Sequence, residues 1–281
     1  MKLDRRLHIY RTDLADAKLK GKVEAERFAT GTPAQVAASV IGLRPSPDLS
    51  AGIDTEMLKG ETVQVFDDAD GWAWVQADVD GYVGYVPEQA LASVVEATHR
   101  VIVPRIFVYP QAELRKPRVA SLSMGSLLTF VGEAETRGTR YLLLDSGEAV
   151  IAAHCLPVNE TLSGDYVSVA QRFIETPYLW GGRSGFGIDC SGLVQLSLSM
   201  IGKVALRDTD MQVKSLGVEI ERDELTRGDL VFWKGHVGIM EDAETLLHAS
   251  GHTMSVAREN FEDAVKRIGW LYDKPTAYRR P

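Results

Sequence analysis

One cysteine stands at the mouth of an apolar helical run. The segment Tyr178-Leu-Trp-Gly-Gly-Arg-Ser-Gly-Phe-Gly-Ile-Asp-Cys-Ser-Gly ends around Cys190 and passes into a stretch that reads as a helix from about Ser191 to Met200. At such a place the unpaired backbone N–H groups and the positive end of the helix dipole favour a thiolate, lowering a thiol pKa from its usual value of about 8.5. The same N–H groups can hold an oxyanion. The glycines upstream let the chain bend sharply and leave a substrate backbone room to approach. Cys190 is therefore a candidate nucleophile. Cys155, in Ala153-His-Cys-Leu-Pro at the end of a β-type run, has no such setting and reads as structural.

A nucleophilic thiol needs a base. Gly228-Asp-Leu-Val-Phe-Trp-Lys-Gly-His-Val-Gly-Ile-Met puts His236 at the start of a short β-run, Val237 to Met240, and Thr245-Leu-Leu-His-Ala-Ser puts His248 on the next. Antiparallel pairing of these runs would bring His248 to the far ring nitrogen of His236 and fix its orientation. Taken singly, each of these side chains is more often solvated or packed; their order along the chain is what points to chemistry. His8, His99, His154 and His252 lie in loop-like or charged contexts and read as surface or packing residues. No CxxC or HExxH pairing is present, so no metal and no other cofactor is expected.

The elements that must carry these groups follow from hydrophobic spacing. Asp165-Tyr-Val-Ser-Val-Ala-Gln-Arg-Phe-Ile places Val167, Ala170, Phe173 and Ile174 on one helical face. A glycine-rich loop, the Cys190 helix and a set of β-runs from Asp229 onward come after it, which describes an α+β domain over residues 161–281. Ahead of it, two passes of short β-runs punctuated by Asp, Gly and Pro describe all-β modules over 34–95 and 96–160. The first has runs at Gln35 to Leu43, Glu61 to Phe66, Gly71 to Ala77 and Tyr82 to Pro87, with turns at Asp67-Asp-Ala-Asp-Gly and Asp78-Val-Asp-Gly. The second has runs at Val101-Ile-Val-Pro, Leu127 to Val131, Tyr141 to Leu144 and Ala149 to Ala153. Residues 1–33 are charged, with loosely spaced apolar positions, and read as a surface arm or helix rather than a core element.

With 281 residues, a net charge of −8, 45% hydrophobic and 25% charged residues, the composition is that of folded domains. The acidic balance offers no basic footprint for phosphate backbones or anionic lipid, and no run of eighteen apolar residues offers a membrane span, so neither nucleic acid nor membrane is expected as a partner. The first 25 residues show no apolar core of seven or more and no small-residue cleavage site after one. A cytoplasmic protein with both cysteines as free thiols is expected.

Taken together, the YxWGG…G(F/I)DCSG, GDLVFW…HVGI and LHAS segments, in this order, resemble the NlpC-type cell-wall cysteine peptidases of the papain-like superfamily. The likeness spans residues 161–281. Gly71-Trp-Ala-Trp-Val followed by Asp80-Gly-Tyr-Val-Gly-Tyr-Val-Pro resembles the bacterial SH3-like domain, with Tyr85 where that family usually has Trp. The resemblance implies a papain-like catalytic domain behind SH3-like barrels, Cys190 as nucleophile, His236 as general base, His248 as the orienting third residue, and Tyr178 beside the thiol. It implies, further, that Leu206-Arg-Asp-Thr-Asp-Met-Gln lines the substrate groove through Arg207, Asp208 and Thr209, near Trp180. In tri-domain members an aspartate here and the serine after the cysteine bind the amine of an N-terminal L-Ala; Asp208 and Ser191 match. Tyr82, or else Tyr85, would close the groove from the first module. The expected activity is hydrolysis of the γ-D-glutamyl-L-diamino acid bond in small peptidoglycan-derived peptides, in cell-wall peptide recycling. An inactive peptide-binding protein and an amidase or acyltransferase of the same fold are the alternatives.

Overall fold

Asp70 and Gly71, both at positive φ (52° and 78°), turn one strand back on the next, a two-residue hairpin of the kind Asp-Gly favours. This hairpin belongs to the first unit of a computed structural model that describes residues 3–281. Its strands are β1 (Leu14–Asp16), β2 (Arg27–Ala29), β3 (Thr32–Val36), β4 (Val40–Leu43), β5 (Thr55–Leu58), β6 (Thr62–Ala69), β7 (Trp72–Ala77), β8 (Val83–Pro87) and β9 (Leu91–Ala92). Five of them pair in the order β8-β7-β6-β3-β9, while β4 pairs with β5. Strand β6 runs through Asp67 to Ala69 across a bulge after Val65, so the turn is shorter than the acidic run implied.

Residues 3–30 form neither an α-helix nor a loose arm, contrary to expectation, and their one helical piece is a 3-10 turn at Ala17–Leu19. β1 and β2 pair in parallel, and Ile9 and Leu14, at 1% and 0% exposure, pack with Phe66, Trp74 and Val83 of the first barrel. Their neighbours' charges are used in pairing: Arg11 with Asp13 at 2.7 Å and with Asp67, and Arg27 with Asp67 at 3.1 Å. A segment that buries isolated apolar residues between paired charges has no periodic signature.

The same unit continues with β10 (His99–Val101), β11 (Arg105–Val108), β12 (Ala120–Ser123), β13 (Leu127–Leu128), β14 (Phe130–Thr136), β15 (Thr139–Leu144), β16 (Ala149–Ile151) and β17 (Cys155–Pro157). These form the sheets β13-β10-β17, β11-β12 and β14-β15-β16, and Tyr141 faces Ile151 across the β15–β16 pair. Strands β11, β12 and β17 have no counterpart in the sequence reading.

The second unit comprises residues 102–104 and 159–281. It contains helices α1 (Tyr166–Gln171), α2 (Cys190–Met200), α3 (Thr209–Ser215) and α4 (Phe261–Tyr272), with a small hairpin, β18 (Arg183–Ser184) and β19 (Gly187–Ile188). Its main sheet holds β20 (Val218–Glu219), β21 (Leu230–Trp233), β22 (His236–Met240), β23 (Thr245–Ser250), β24 (Ser255–Asn260) and β25 (Ala277–Arg280) in the antiparallel order β20-β25-β21-β22-β23-β24. Asp165 caps α1 by accepting the Ser168 N–H at 2.8 Å, as a short side-chain acceptor at that position does. Val167, Ala170 and Phe173 are fully buried. Phe261, Ala264 and Ile268 of α4 pack on Val231, Trp233, Met240 and Leu246. A helix pair and a sheet whose central strands, β21 to β23, are buried on both faces give the rigid frame that a multi-residue site requires.

Candidate active site

Asp189 sets the start of α2. In extended backbone (φ −97°, ψ 178°), its Oδ1 accepts the Gly192 N–H at 2.7 Å, leaving Cys190 as the first residue of the helix. Its other oxygen accepts the Gly181 N–H at 3.0 Å, so one carboxylate ties the glycine loop to the helix. A Cβ on Gly192 would lie 2.4 Å from the Gly182 carbonyl oxygen; only glycine lets loop and helix approach this closely. Arg207 Nη1 and Nη2 reach the two Asp189 oxygens at 2.9 and 2.6 Å, and Nη1 donates to Ser191 Oγ at 2.8 Å.

The sulfur of Cys190 receives backbone N–H groups from Ser191 and from Val237, the residue after His236. The thiol therefore sits at the head of β22. It is buried at 6% exposure, and burial pushes its pKa up to about 12, with the Asp189 carboxylate adding to the rise and the two N–H groups and Arg207 opposing it. This corrects the expectation of a thiol held ionised by the helix end alone: desolvation outweighs the N–H groups. Burial likewise pushes His236 down to about 3, helped by the nearby His248 and Arg267 and opposed by Glu259. Each charge alone is disfavoured here. A proton passed from sulfur to imidazole makes both charges together, and their attraction in a low dielectric offsets much of the desolvation.

His236 Nε2 lies 2.9 Å from His248 Nδ1, the rings meeting edge to face at 5.2 Å. Strands β22 and β23 are antiparallel neighbours, which supplies the juxtaposition that the two β-runs predicted. With Nε2 engaged, Nδ1 is the ring nitrogen of His236 left to face a thiol. Trp233 packs against the His236 ring at 5.7 Å. On the far side of His248, Nε2 lies 3.3 Å from Glu259 Oε2 on β24, and Glu259 is held by Arg267 of α4 through contacts of 2.8 and 2.5 Å. Sequence reading missed Glu259 and Arg267. The available signal was alternation along Ser255-Val-Ala-Arg-Glu-Asn, which puts Glu259 on the side of Ala257, the cross-strand partner of His248.

Residues 175–268, which contain Cys190, His236 and His248, match the NlpC/P60 family, and residues 43–91 match the bacterial dipeptidyl-peptidase Sh3 domain. The probable endopeptidase NlpC of Escherichia coli is 36% identical over 107 residues, 34% of this chain and 70% of that protein. The chain belongs to the NlpC/P60 family. Dipeptidyl-peptidase 6 of Lysinibacillus sphaericus is 29% identical over 236 residues, 76% of this chain and 86% of that protein. A gamma-D-glutamyl-L-lysine dipeptidyl-peptidase of Bacillus subtilis is 28% identical over 219 residues, 70% of this chain and 72% of that protein. The chain is a cysteine peptidase of this family, with a papain-like domain behind an SH3-like one.

Within this NlpC/P60 domain, Tyr178 is half-buried, its N–H donating to the Met254 carbonyl at 2.9 Å. Burial, then the neighbouring Cys190 and Asp189, hold its phenol above the ordinary range, which places the ring near the thiol. Trp180 is 72% exposed. Asp208 precedes α3 and Thr209 opens it; the Asp208 side chain makes no capping bond, while its carbonyl accepts from the Met211 and Gln212 N–H groups. Arg207 and Ser191 depart from the reading as groove residues. At 1% and 5% exposure they lie inside, joined to Asp189, because a guanidinium buried this deeply must be paired. In the first unit Tyr82 is buried, at 3% exposure. Tyr85 is half-buried, stacked on Trp74 at 6.2 Å, and its hydroxyl accepts from Arg11 at 3.1 Å.

Proposed function

We propose that this peptidase hydrolyses the bond between γ-D-glutamate and an L-diamino acid in short cell-wall peptides that carry a free N-terminal L-Ala. The observation that carries the proposal is the thiol of Cys190 at the head of both α2 and the strand that starts at His236, with His248 2.9 Å behind the imidazole. As the sulfur adds to the γ-carbonyl carbon, its proton passes to His236 Nδ1. The negative charge that develops on the carbonyl oxygen is held by the helix-end N–H of Cys190 and by Tyr178. Collapse releases the diamino acid, whose amine takes the proton from His236, and leaves L-Ala-γ-D-Glu as a thioester on Cys190. Water, deprotonated by His236, then hydrolyses the thioester and frees the thiol.

Asp208 supplies the measure of length. A carboxylate at the closed end of a groove pairs with a terminal ammonium, whereas an acylated or extended peptide leaves it unpaired. Relatives named for dipeptidyl-peptidase activity, one of them on a γ-D-glutamyl-L-lysine substrate, support this reading. A requirement for a free amine suits released peptides rather than intact wall, and we extend the proposal to peptide recycling in the cytoplasm, which fractionation of cells with an antibody to the chain would check. The decisive experiment is incubation with L-Ala-γ-D-Glu-diaminopimelate and its L-lysine analogue. L-Ala-D-Glu and the free diamino acid are the expected products; cleavage at the L-Ala bond, or no cleavage of either peptide, would overturn the proposal.

A further inference from the structure

The polar chain behind the candidate thiol does not stop at His248. His248 is 1% exposed, and its Nε2 has one charged atom beside it, Glu259 Oε2 at 3.3 Å, in an approach that falls short of hydrogen-bond alignment. That oxygen also receives Arg267 Nη2 at 2.5 Å, while Oε1 receives Arg267 Nε at 2.8 Å. A two-pronged guanidinium holds the carboxylate in one orientation. The geometry points to Glu259 as a positioning residue for the peptidase reaction: held by Arg267, its carboxylate fixes which nitrogen of His248 carries the proton and, through it, which nitrogen of His236 is the base.

The assignment follows from counting protons. A bare nitrogen lone pair facing a carboxylate oxygen at 3.3 Å would set two acceptors against each other in a buried place, so Nε2 of His248 carries its hydrogen. The other nitrogen, Nδ1, is then an acceptor. The 2.9 Å contact must therefore be a hydrogen bond donated by His236 Nε2, which leaves Nδ1 of His236 with the free lone pair. With the opposite tautomer of His248, Nδ1 would donate to His236 Nε2, and the proton of His236 would sit on the nitrogen that must accept one from sulfur. Arg267, followed by His248, holds the Glu259 carboxyl down to about 2, so the anion is present throughout the working range. The charged and titratable groups that act on His236 are His248 on β23, Glu259 on β24 and Arg267 on α4, with the Cys190 sulfur beside the N–H of the next residue, Val237; Glu259 favours a protonated His236, while His248 and Arg267 disfavour it.

This rests on the cysteine-peptidase chemistry but not on which diamino acid is released. Its first test needs no substrate: nitrogen-15 spectra of the histidines in the wild-type free enzyme should show His248 protonated at Nε2 and His236 protonated at Nε2, and a His248 protonated only at Nδ1 would overturn it. The second test is kinetic. Glu259→Gln should lower kcat about 10- to 100-fold with KM little changed, by analogy with carboxylates that orient metal-bound histidines. It should also move the acid limb of kcat/KM to lower pH, because the anion that favoured imidazolium is gone. Arg267→Met should move that limb the opposite way, and Glu259→Asp should restore part of kcat. Glu259→Gln with wild-type kcat and an unmoved acid limb, or with lowered Tm alone, would overturn the assignment. If neither variant folds, the wild-type spectra decide. If no peptide tried is cleaved, those spectra still test the tautomers, so a failure of the substrate reading stays separate from a failure here.

Discussion

Arg207, whose side chain is 1% exposed, places Nη2 2.6 Å from Oδ2 of Asp189, the residue before the candidate nucleophile. The pair is the buried foundation of the Cys190 corner, since Asp189 also caps α2 and ties down the glycine loop. Replacing Arg207 by Met leaves a carboxylate unpaired where it was sealed, and is expected to lower stability by about 3–5 kcal/mol, the usual effect of breaking a buried pair from one side. Urea denaturation reads this directly. A variant as stable as wild type would show the pair to be incidental.

The N-terminal segment is part of the first barrel, and its apolar residues should behave accordingly. Leu14→Ala is expected to destabilise that unit by about 2–5 kcal/mol, as a fully buried leucine does. Asp13→Ala, which removes a half-exposed ion-pair partner of Arg11, should change it by less than about 1 kcal/mol. Equal effects in thermal melts would contradict the packing described.

His236 is held down to about 3 by burial, against 6.5 for an unburied imidazole, and the sign of the consequence is fixed. The unfolded chain takes up this proton first, so the stability His236 contributes is complete above about 6.5, declines as pH falls below it, and is gone once pH has passed through the folded value. Activity should show the same group: its acid limb should lie below the usual imidazole value. His236→Gln should flatten the pH dependence of stability between about 6.5 and 3, as followed by denaturation at several pH values. An unchanged slope would mean the imidazole is charged in the folded state.

Asp208→Asn removes the proposed partner of a terminal ammonium. The expected result is a kcat/KM about 30-fold or more lower for a free-amine tripeptide, with no further loss for its N-acetylated form, because a charged pair in a groove is worth roughly 2 kcal/mol or more. Equal losses on both peptides would assign Asp208 to structure rather than recognition.

How much of this was readable beforehand differs by element. The place of Cys190 at a helix start was legible because a glycine-rich loop gives way there to an apolar helical run, whereas the capping role of Asp189 was not read from it. The contact of His236 with His248 was legible because two strands joined by a short turn pair antiparallel. Glu259 and Arg267 were not, since their meeting with His248 depends on β24 and α4 folding back beside β23. Arg207 misled for the opposite reason: an arginine in a polar segment is ordinarily at the surface, and only the three-dimensional position of Asp189 draws it inside. The ionisation of Cys190 was misread because helix position is visible in sequence and the depth of burial is not.

The proposed chemistry requires the sulfur of Cys190 to take the acyl group. Mixing the protein with L-Ala-γ-D-Glu-diaminopimelate, quenching in acid within the first turnover and mapping the peptides by mass spectrometry tests it most directly. The L-Ala-γ-D-Glu acyl group should appear on the peptide containing Cys190, be released by hydroxylamine, and be absent in Cys190→Ala. Product formation by Cys190→Ala at the wild-type rate, or an acyl group on Cys155 instead, would contradict it.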